Sequence, residues 1–272
     1  MTESKLERVQ KYWRFYKIYF AQFWKSRLIY KADFVFGVIA HSISVIFAVA
    51  FISLLFTQVQ TIQGWTFNEM LFLAGIGGLI MNLHHIFFFN IFRLGEEYIV
   101  KGKLDRVLVR PLHPLFQIYA DEVRDNSVAK LIVNIVILAY AIPKLSVPIF
   151  TSEKLVYSML AIPSGIMIFA AIYLFFASTA FWTGRSRAAI WLIFRVSDFR
   201  KYPYGIYGTA VQLLLVSFIP IAFASFFPAA FLLDKQGWTS FQIGTVIAGP
   251  IFYIIAYSFW GYGLSNYSST GS

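Results

Sequence analysis

The sequence predicts an all-α membrane protein that crosses the bilayer several times, and three observations lead to this fold class. Of its 272 residues, 58% are hydrophobic and only 13% are charged. A soluble domain carries about 25% charged residues, so this chain lacks the polar surface that water requires. The apolar residues fall in long runs separated by charged segments. Such runs suit transmembrane helices, which need about 20 residues to cross a hydrocarbon core of roughly 30 Å.

Six apolar runs are predicted to span the membrane, within one domain of residues 33–272. The second run contains Gly75, Gly77 and Gly78, small residues that let helices approach closely. After the fifth run, Pro220 and Pro228 interrupt an apolar stretch. Two prolines there indicate a re-entrant helical stretch that is buried against protein before the last span. The predicted spans are residues 33–56, 67–92, 127–142, 155–182, 205–219 and 241–264.

The N-terminal segment, residues 1–32, is predicted to be an interfacial amphipathic helix rather than a span. Its aromatic residues recur at intervals of three and four and form one helical face, with basic residues on the opposite flank. Such a helix lies in the membrane interface with its charges toward anionic lipid headgroups. A disordered basic tail or an RNA-binding tail leaves the aromatic stripe unexplained, so no nucleic-acid partner is expected. The two sets are Trp13, Tyr16 and Phe20, and Arg8, Lys11 and Arg14.

Lysine and arginine are distributed unevenly between the two sides of the predicted membrane. Eight lie in residues 1–32, six in residues 93–126 and five in residues 184–204. The loops of the other side hold only Lys144, Lys154 and Lys235. Because basic residues are retained in the cytoplasm, both termini and both charged segments are predicted to be cytoplasmic.

No catalytic or metal-binding constellation is predicted in this chain. There is no glycine-rich run that ends in Gly-Lys-Ser/Thr, so an ATP-driven process would need a nucleotide site on another subunit. His84 and His85 are adjacent and point about 100° apart on a helix, which makes joint metal binding difficult. Together with Asn82 and Asn90 they make the second span the candidate substrate path, because polar groups within a membrane usually face the bundle interior.

The longest charged segment between apolar runs, residues 95–126, is called the central segment below. Apolar and charged residues alternate in its first part, which predicts a short amphipathic helix on the membrane surface, ended by Pro111 and Pro114. The alternative is a solvated loop on lipid headgroups, but the mixed charge favours salt bridges to a protein. The candidate docking residues are Glu96, Glu97, Lys103, Asp105, Arg106 and Arg110.

The central segment resembles the G-x-L-D-x-x-L-x-R-P-L-x-P-L-F signature of bacterial ABC-2-type permeases, in the subgroup described as uncharacterised ABC-type transport system permeases. Similar stretches occur at 202–207, 219–220 and 227–229, and the tail is similar to the closing Y-x-S-x-G of that family through Tyr267, Ser269 and Gly271. The tail lacks basic residues, so it is given no docking role. The residues that carry this resemblance are Gly102, Leu104, Asp105, Arg106, Leu108, Arg110, Pro111, Leu112, Pro114, Leu115 and Phe116.

This resemblance implies a permease subunit of an ATP-driven exporter in the bacterial cytoplasmic membrane. Two permeases, alike or different, would pair, and each would dock an ABC ATPase that holds ATP and Mg²⁺. The N-terminal helix would be the connecting helix, and the central segment would contain the cytoplasmic coupling helix. Aromatic-rich spans suit a lipophilic or amphipathic cargo such as a drug, lipid or peptide.

Two alternatives to the exporter remain at this stage. A secondary transporter or channel would need no ATPase, although no carboxylate lies midway along a predicted span, where ion-driven transporters commonly carry one. A membrane scaffold that transports nothing is the other alternative.

Overall fold

The computed structural model describes residues 31–121 and 125–268, and these residues form helices without any β-strand. The side chains that predict the interfacial helix, from Arg8 to Phe20, lie outside the described residues, as do Ser269 and Gly271. In chain order the described α-helices are α1 (Lys31–Leu55), α2 (Phe67–Phe88), α3 (Lys103–Leu108), α4 (Pro114–Ala120), α5 (Asp125–Ala141), α6 (Ser152–Ser178), α7 (Ala180–Thr183), α8 (Arg187–Val196), α9 (Thr209–Leu213), α10 (Ile221–Ala224), α11 (Phe226–Leu232) and α12 (Thr239–Ser265).

Five helical stretches of the described chain are long and apolar enough to cross a membrane, which confirms the all-α, polytopic class. They contain α1, α2, α5, α6 and α12 and coincide with five of the six predicted runs. Helix α2 continues through a 3-10 turn at Phe89–Arg93 and a π-helical turn at Leu94–Ile99, so this span covers 33 residues. The predicted count of six spanning helices is not confirmed.

Close approach between helices depends on small residues, as the glycines of the second span predict. A Cβ at residue 78 would lie 2.0 Å from the side-chain oxygen of Asn134 on α5, so a larger residue would displace Asn134 or separate α2 from α5. A Cβ at residue 249 on α12 would lie 2.2 Å from the carbonyl oxygen of Ser164 on α6. The Gly249 amide also donates a 2.9 Å hydrogen bond to the Ser164 hydroxyl, which joins α12 to α6.

The bundle has two ends, and we call the one that carries the central segment proximal and the other distal. At the distal end, Lys235 Nζ lies 2.8 Å from Glu69 Oε1, at the start of α2. Lys154, at the start of α6, lies 2.8 Å from Asp234 Oδ2. These pairs hold the loop before α12 against the first turns of α2 and α6.

The charged residues 184–204 follow a course that differs from the predicted surface loop. The Arg187 amide donates to Glu96 Oε1 at the proximal end, at 3.2 Å. The Arg200 Cγ lies 3.3 Å from where a Cβ of Gly77 would stand, midway along α2. Residue 205 then lies beside the Gln63 side chain at the distal end. The segment therefore runs the length of the bundle beside α2, and this placement corrects the sequence prediction.

The physical reason lies in the apolar face of α8. Ile190 and Ile193 are 0% and 1% exposed, because this face packs against α6 instead of lying on a membrane surface. We call residues 184–204 the traverse. Its 3-10 turn at Ser197–Lys201 packs against α2 and α10.

The predicted fifth span, residues 205–219, is also different in the structure. Thr209–Phe218 is a ten-residue apolar helix, about 15 Å long at 1.5 Å per residue, which is half of a hydrocarbon core. It starts at the distal end and brings Phe218 against Phe176, in the proximal half of α6. After Pro220, α10 and α11 lead back to Lys235 at the distal end. The predicted span and the predicted re-entrant stretch are thus the two arms of one hairpin.

Candidate functional site

The backbone of the central segment turns sharply where the extension of α2 ends. Gly102 has a φ of +66°, a left-handed conformation that favours glycine, and it immediately precedes α3. Within α3, Leu104 is fully buried and Val107 is 5% exposed, so the helix presents one apolar face to the bundle. Pro114 occupies the first turn of α4, where its missing N–H costs no helical hydrogen bond.

Buried polar side chains tie the central segment to the extension of α2. The Asn90 side chain donates a 2.6 Å hydrogen bond to the Ile118 carbonyl of α4. The Tyr98 hydroxyl donates a 2.8 Å hydrogen bond to Asp121, which also forms an ion pair with Lys103. Because buried donors are costly to leave unpaired, these bonds make α2, α3 and α4 one mechanical unit.

Four of the six candidate docking residues are engaged within the chain. Glu96 accepts from the backbone of Arg187, and Glu97 lies 3.8 Å from Arg93. Lys103 pairs with Asp121, as described above. Asp105 accepts a 3.0 Å hydrogen bond from Tyr267, beyond the end of α12.

The other two candidates face outward. Arg106 and Arg110 are exposed at the proximal end, on either side of Val109, which is 84% exposed. We call residues 106–110 the proximal face of the central segment. It combines two cationic side chains with two exposed apolar ones, Leu108 and Val109, a combination typical of a protein contact surface.

A cavity of about 440 Å³ lies beside the middle of α2, and we call it the inner cavity. Helices α1, α2 and α5 form three of its walls, and the traverse at residues 194–202 forms the fourth. Its charged lining residues are Lys130, Arg195, Asp198, Arg200 and Lys201. None of these five was predicted from the sequence, and the last four were missed because residues 184–204 were assigned to a surface loop. The spacing of Ile190 and Ile193 was the available signal that this segment is buried on one side.

The four candidate residues of the substrate path separate into two pairs. Asn82 and His85 line the inner cavity. Asn82 also bonds the Gly78 carbonyl of its own helix, and His85 lies 3.4 Å from the Tyr173 hydroxyl. His84 is fully buried against Tyr173 and Phe169, away from the cavity lining. Asn90 holds the central segment, so its role in the structure is a link between elements.

Within the described residues, no group of three or more His, Cys, Asp or Glu side chains is arranged to hold a metal ion. The two imidazoles of residues 84 and 85 have ring centres 5.3 Å apart, and they belong to no such group among the described residues.

The long apolar helices and the buried helix contacts define a multi-pass membrane protein. The chain belongs to the ABC-2 transporter family, since the family model described as "ABC-2 family transporter protein" matches residues 42–271. No curated protein and no solved structure matches the chain. The resemblance seen in the sequence is therefore confirmed, and the chain is a permease component of a transporter.

Proposed function

We propose that this chain is the membrane-spanning subunit of an ATP-driven exporter whose ATP and Mg²⁺ are bound by a separate ABC ATPase. The observation that carries the proposal is the proximal face: Arg106, Val109 and Arg110 are exposed on a segment that is otherwise tied to the bundle. A docking subunit can push on such a face without the segment yielding locally. The chain itself supplies no nucleotide-binding motif.

The proposed orientation places the proximal end in the cytoplasm. The basic N-terminal segment, the central segment and the chain end near Tyr267 would then lie on the side where ATP is available. At the distal end, Lys154 and Lys235 are each neutralised by a carboxylate, which leaves that end with little net charge. The distal hairpin would be re-entrant from the outer face.

In the proposed mechanism, closure of two ATPases moves the central segments of two paired permeases. The hydrogen bonds from Asn90 and Tyr98 would pass this displacement to α2, which borders the inner cavity. The bond from Tyr267 to Asp105 would pass it to α12. Rigid-body movement of packed helices against each other is an established form of such a switch.

A secondary transporter is the alternative that the structure bears on most directly. The expected lack of a mid-bundle carboxylate does not hold, because the traverse brings Asp198 to the inner cavity. Asp198 lies 2.6 Å from Lys201 Nζ and 3.4 Å from Arg200, so its carboxylate is engaged by two cations of its own segment. Because this carboxylate already has partners within the chain, the exporter is preferred.

The test is purification of the tagged full-length chain from native membranes in mild detergent. We expect a nucleotide-binding subunit to co-purify and the particle to hydrolyse Mg·ATP. Solute flux by the chain alone in proteoliposomes, with no nucleotide-binding partner recovered even after cross-linking, would overturn the proposal in favour of a secondary transporter.

A further inference from the structure

The inner cavity has two chemically different halves. Helices α1 and α5 run from the proximal to the distal end, and α2 runs the opposite way. The position of a lining residue along its helix therefore shows how far it lies from the proximal end. The polar lining residues of these helices lie in the half nearer the proximal end, and the distal lining is almost entirely apolar. The polar set is His41, Asn82, His85, Lys130 and Asn134, and the apolar set is Val45, Val49, Ile52, Leu71, Ala74 and Ile137.

The charge that the traverse adds to the polar half is predominantly positive. Arg195, Arg200 and Lys201 all line the cavity, against the single carboxylate of Asp198. One Asp198 oxygen is shared by Lys201 at 2.6 Å and Arg200 at 3.4 Å. Lys130 brings a further cation from the opposite wall. A cluster with this excess of cations favours an anion among them.

Arg200 retains a buried donor that the protein does not use. One of its terminal nitrogens donates to the Ser197 carbonyl at 2.8 Å, and its side chain is only 11% exposed. Its Nε is buried and has no hydrogen-bond partner among the described residues. A buried N–H without a partner is costly, and because Arg200 also lines the inner cavity, a ligand oxygen that reaches this nitrogen from there would remove the cost.

We propose that the inner cavity binds an anionic amphiphile, with its phosphate or carboxylate headgroup among Arg195, Arg200 and Lys201 and its apolar chain in the distal half. Charge-assisted hydrogen bonds from guanidinium and ammonium groups are roughly twice as strong as those between neutral groups. A volume of about 440 Å³ falls within the range of about 300–1,000 Å³ for small-molecule sites. As a statement about cargo, this inference rests on the proposed transport function.

Entry from the bilayer is consistent with the wall that α1 provides. The apolar side chains of α1 that point away from the cavity are widely exposed, Phe36 at 71% and Phe47 at 72%. One side of α1 thus faces the surroundings of the bundle and the other faces the cavity. An amphiphile that moves past α1 keeps its chain in an apolar environment throughout.

The test is equilibrium binding of radiolabelled oleoyl-lysophosphatidylglycerol to the purified full-length chain in non-ionic detergent. Lysophosphatidylcholine with the same chain is the zwitterionic comparison, and inorganic phosphate is tested as a competitor. We expect the anionic lipid to bind about tenfold more tightly than the zwitterionic one. Equal affinity for the two lipids would overturn the proposal. Displacement by phosphate at the concentration that unlabelled lipid requires would overturn it too, by showing a free-anion site.

Variants then locate the site. The double substitution Arg195→Gln and Lys201→Gln is expected to weaken binding of the anionic lipid about tenfold or more and to leave the zwitterionic lipid unaffected. Lys144→Gln removes one charge from an exposed distal position and should change nothing. Arg200 is left in place because it packs against Gly77.

A second variant keeps the test decisive if the double variant folds poorly. Ala74→Phe fills the apolar half of the inner cavity and should reduce binding of both lipids. Unchanged binding would contradict the proposed position of the acyl chain. Neither ATP nor an ATPase enters these assays. If the anionic lipid does not bind selectively, the proposal that an ATPase docks on this chain is therefore unaffected. If no ATPase is recovered, the lipid-binding result is unaffected.

Discussion

The Tyr267 hydroxyl donates a 3.0 Å hydrogen bond to Asp105 Oδ1 and so joins the chain beyond the last helix to α3 of the central segment. The two residues are 162 positions apart. The pKa of Tyr267 is raised to about 12, first by burial and then by its hydrogen bond to the Asp105 carboxylate. The hydroxyl therefore remains protonated and donates throughout the physiological pH range. Displacement of α3 should consequently be felt at the end of α12.

Replacement of Tyr267 by phenylalanine removes this hydrogen bond and keeps the ring that packs against Phe181. We expect the free energy of unfolding to fall by roughly 0.5–1.5 kcal/mol, the usual net contribution of one hydrogen bond. Thermal unfolding of the purified variant in detergent measures it. Tyr262→Phe is the matched control, because Tyr262 is 62% exposed and the contact of its ring with Trp182 does not depend on the hydroxyl. An equal loss of unfolding free energy in both variants would show that the hydrogen bond from Tyr267 to Asp105 contributes no more to stability than an exposed hydroxyl.

Charge reversal on the proximal face should separate docking from folding. Arg106→Glu combined with Arg110→Glu is expected to reduce ATPase recovery and transport by about tenfold or more, since like charges would then oppose a complementary acidic surface. Both side chains are exposed and neither forms a hydrogen bond or ion pair with another described residue, so expression and thermal stability should remain at wild-type values. Co-purification and ATP hydrolysis are the measurements.

The control for this pair is Lys144→Glu, which reverses a charge at an exposed distal position. It should leave ATPase recovery intact. Asp105 is omitted from the reversal because its carboxylate is bonded to Tyr267, and its loss would mix docking with stability. Normal recovery of the ATPase by the double arginine variant would remove the docking role from the proximal face.

Two glycines of α12 offer a comparison within one helix. A Cβ at Gly249 would meet the Ser164 carbonyl at 2.2 Å, whereas a Cβ at Gly261 would meet nothing within 4 Å. Gly249→Ala is expected to force α12 away from α6 and to destabilise the protein by about 1–3 kcal/mol, as overpacking usually does. Gly261→Ala should be neutral or stabilising by up to about 1 kcal/mol, because alanine favours a helix. Thermal unfolding distinguishes them, and equal stability would show that the two helices separate without cost.

Hydropathy predicted the continuous spans well because their signal is local. Residues 67–92, 155–182 and 241–264 each correspond to a long apolar helix. The stretch that contains Pro220 and Pro228 consists of short helices, with breaks at Pro220 and Ser225, whereas Pro228 itself lies within α11. Residues 184–204 were predicted less well, since five basic side chains outweighed the apolar spacing of Ile190 and Ile193. What decides the course of this segment is packing against α6 and α2, which a local pattern does not contain.

The candidate site shows the same limit. The central segment was predicted to carry docking residues of both charges, and of the six candidates Arg106 and Arg110 are exposed. The sequence did not predict that Asp105 would accept a hydrogen bond from Tyr267. Two residues so distant in sequence meet only because the fold brings the end of α12 back to α3. The inner cavity depends in the same way on Arg200 lying against Gly77.

Membrane orientation can be tested directly because the sequence contains no cysteine. Val109→Cys places a single thiol on the proximal face, and Gln60→Cys places one in the exposed distal loop. In sealed right-side-out vesicles, a membrane-impermeant maleimide should label residue 60 at once and residue 109 only after permeabilisation. Basic residues concentrated at the proximal end are the reason for this expectation.

The same two variants test docking independently of orientation. If the ATPase covers the proximal face, its addition to permeabilised vesicles should slow labelling at residue 109 and leave residue 60 unchanged. Prompt labelling of residue 109 in sealed vesicles would reverse the orientation and rule out a cytoplasmic ATPase at this face. Labelling of residue 109 at an undiminished rate with the ATPase bound would instead move the contact elsewhere at the proximal end, since Val109 is among the most exposed apolar side chains of the described chain.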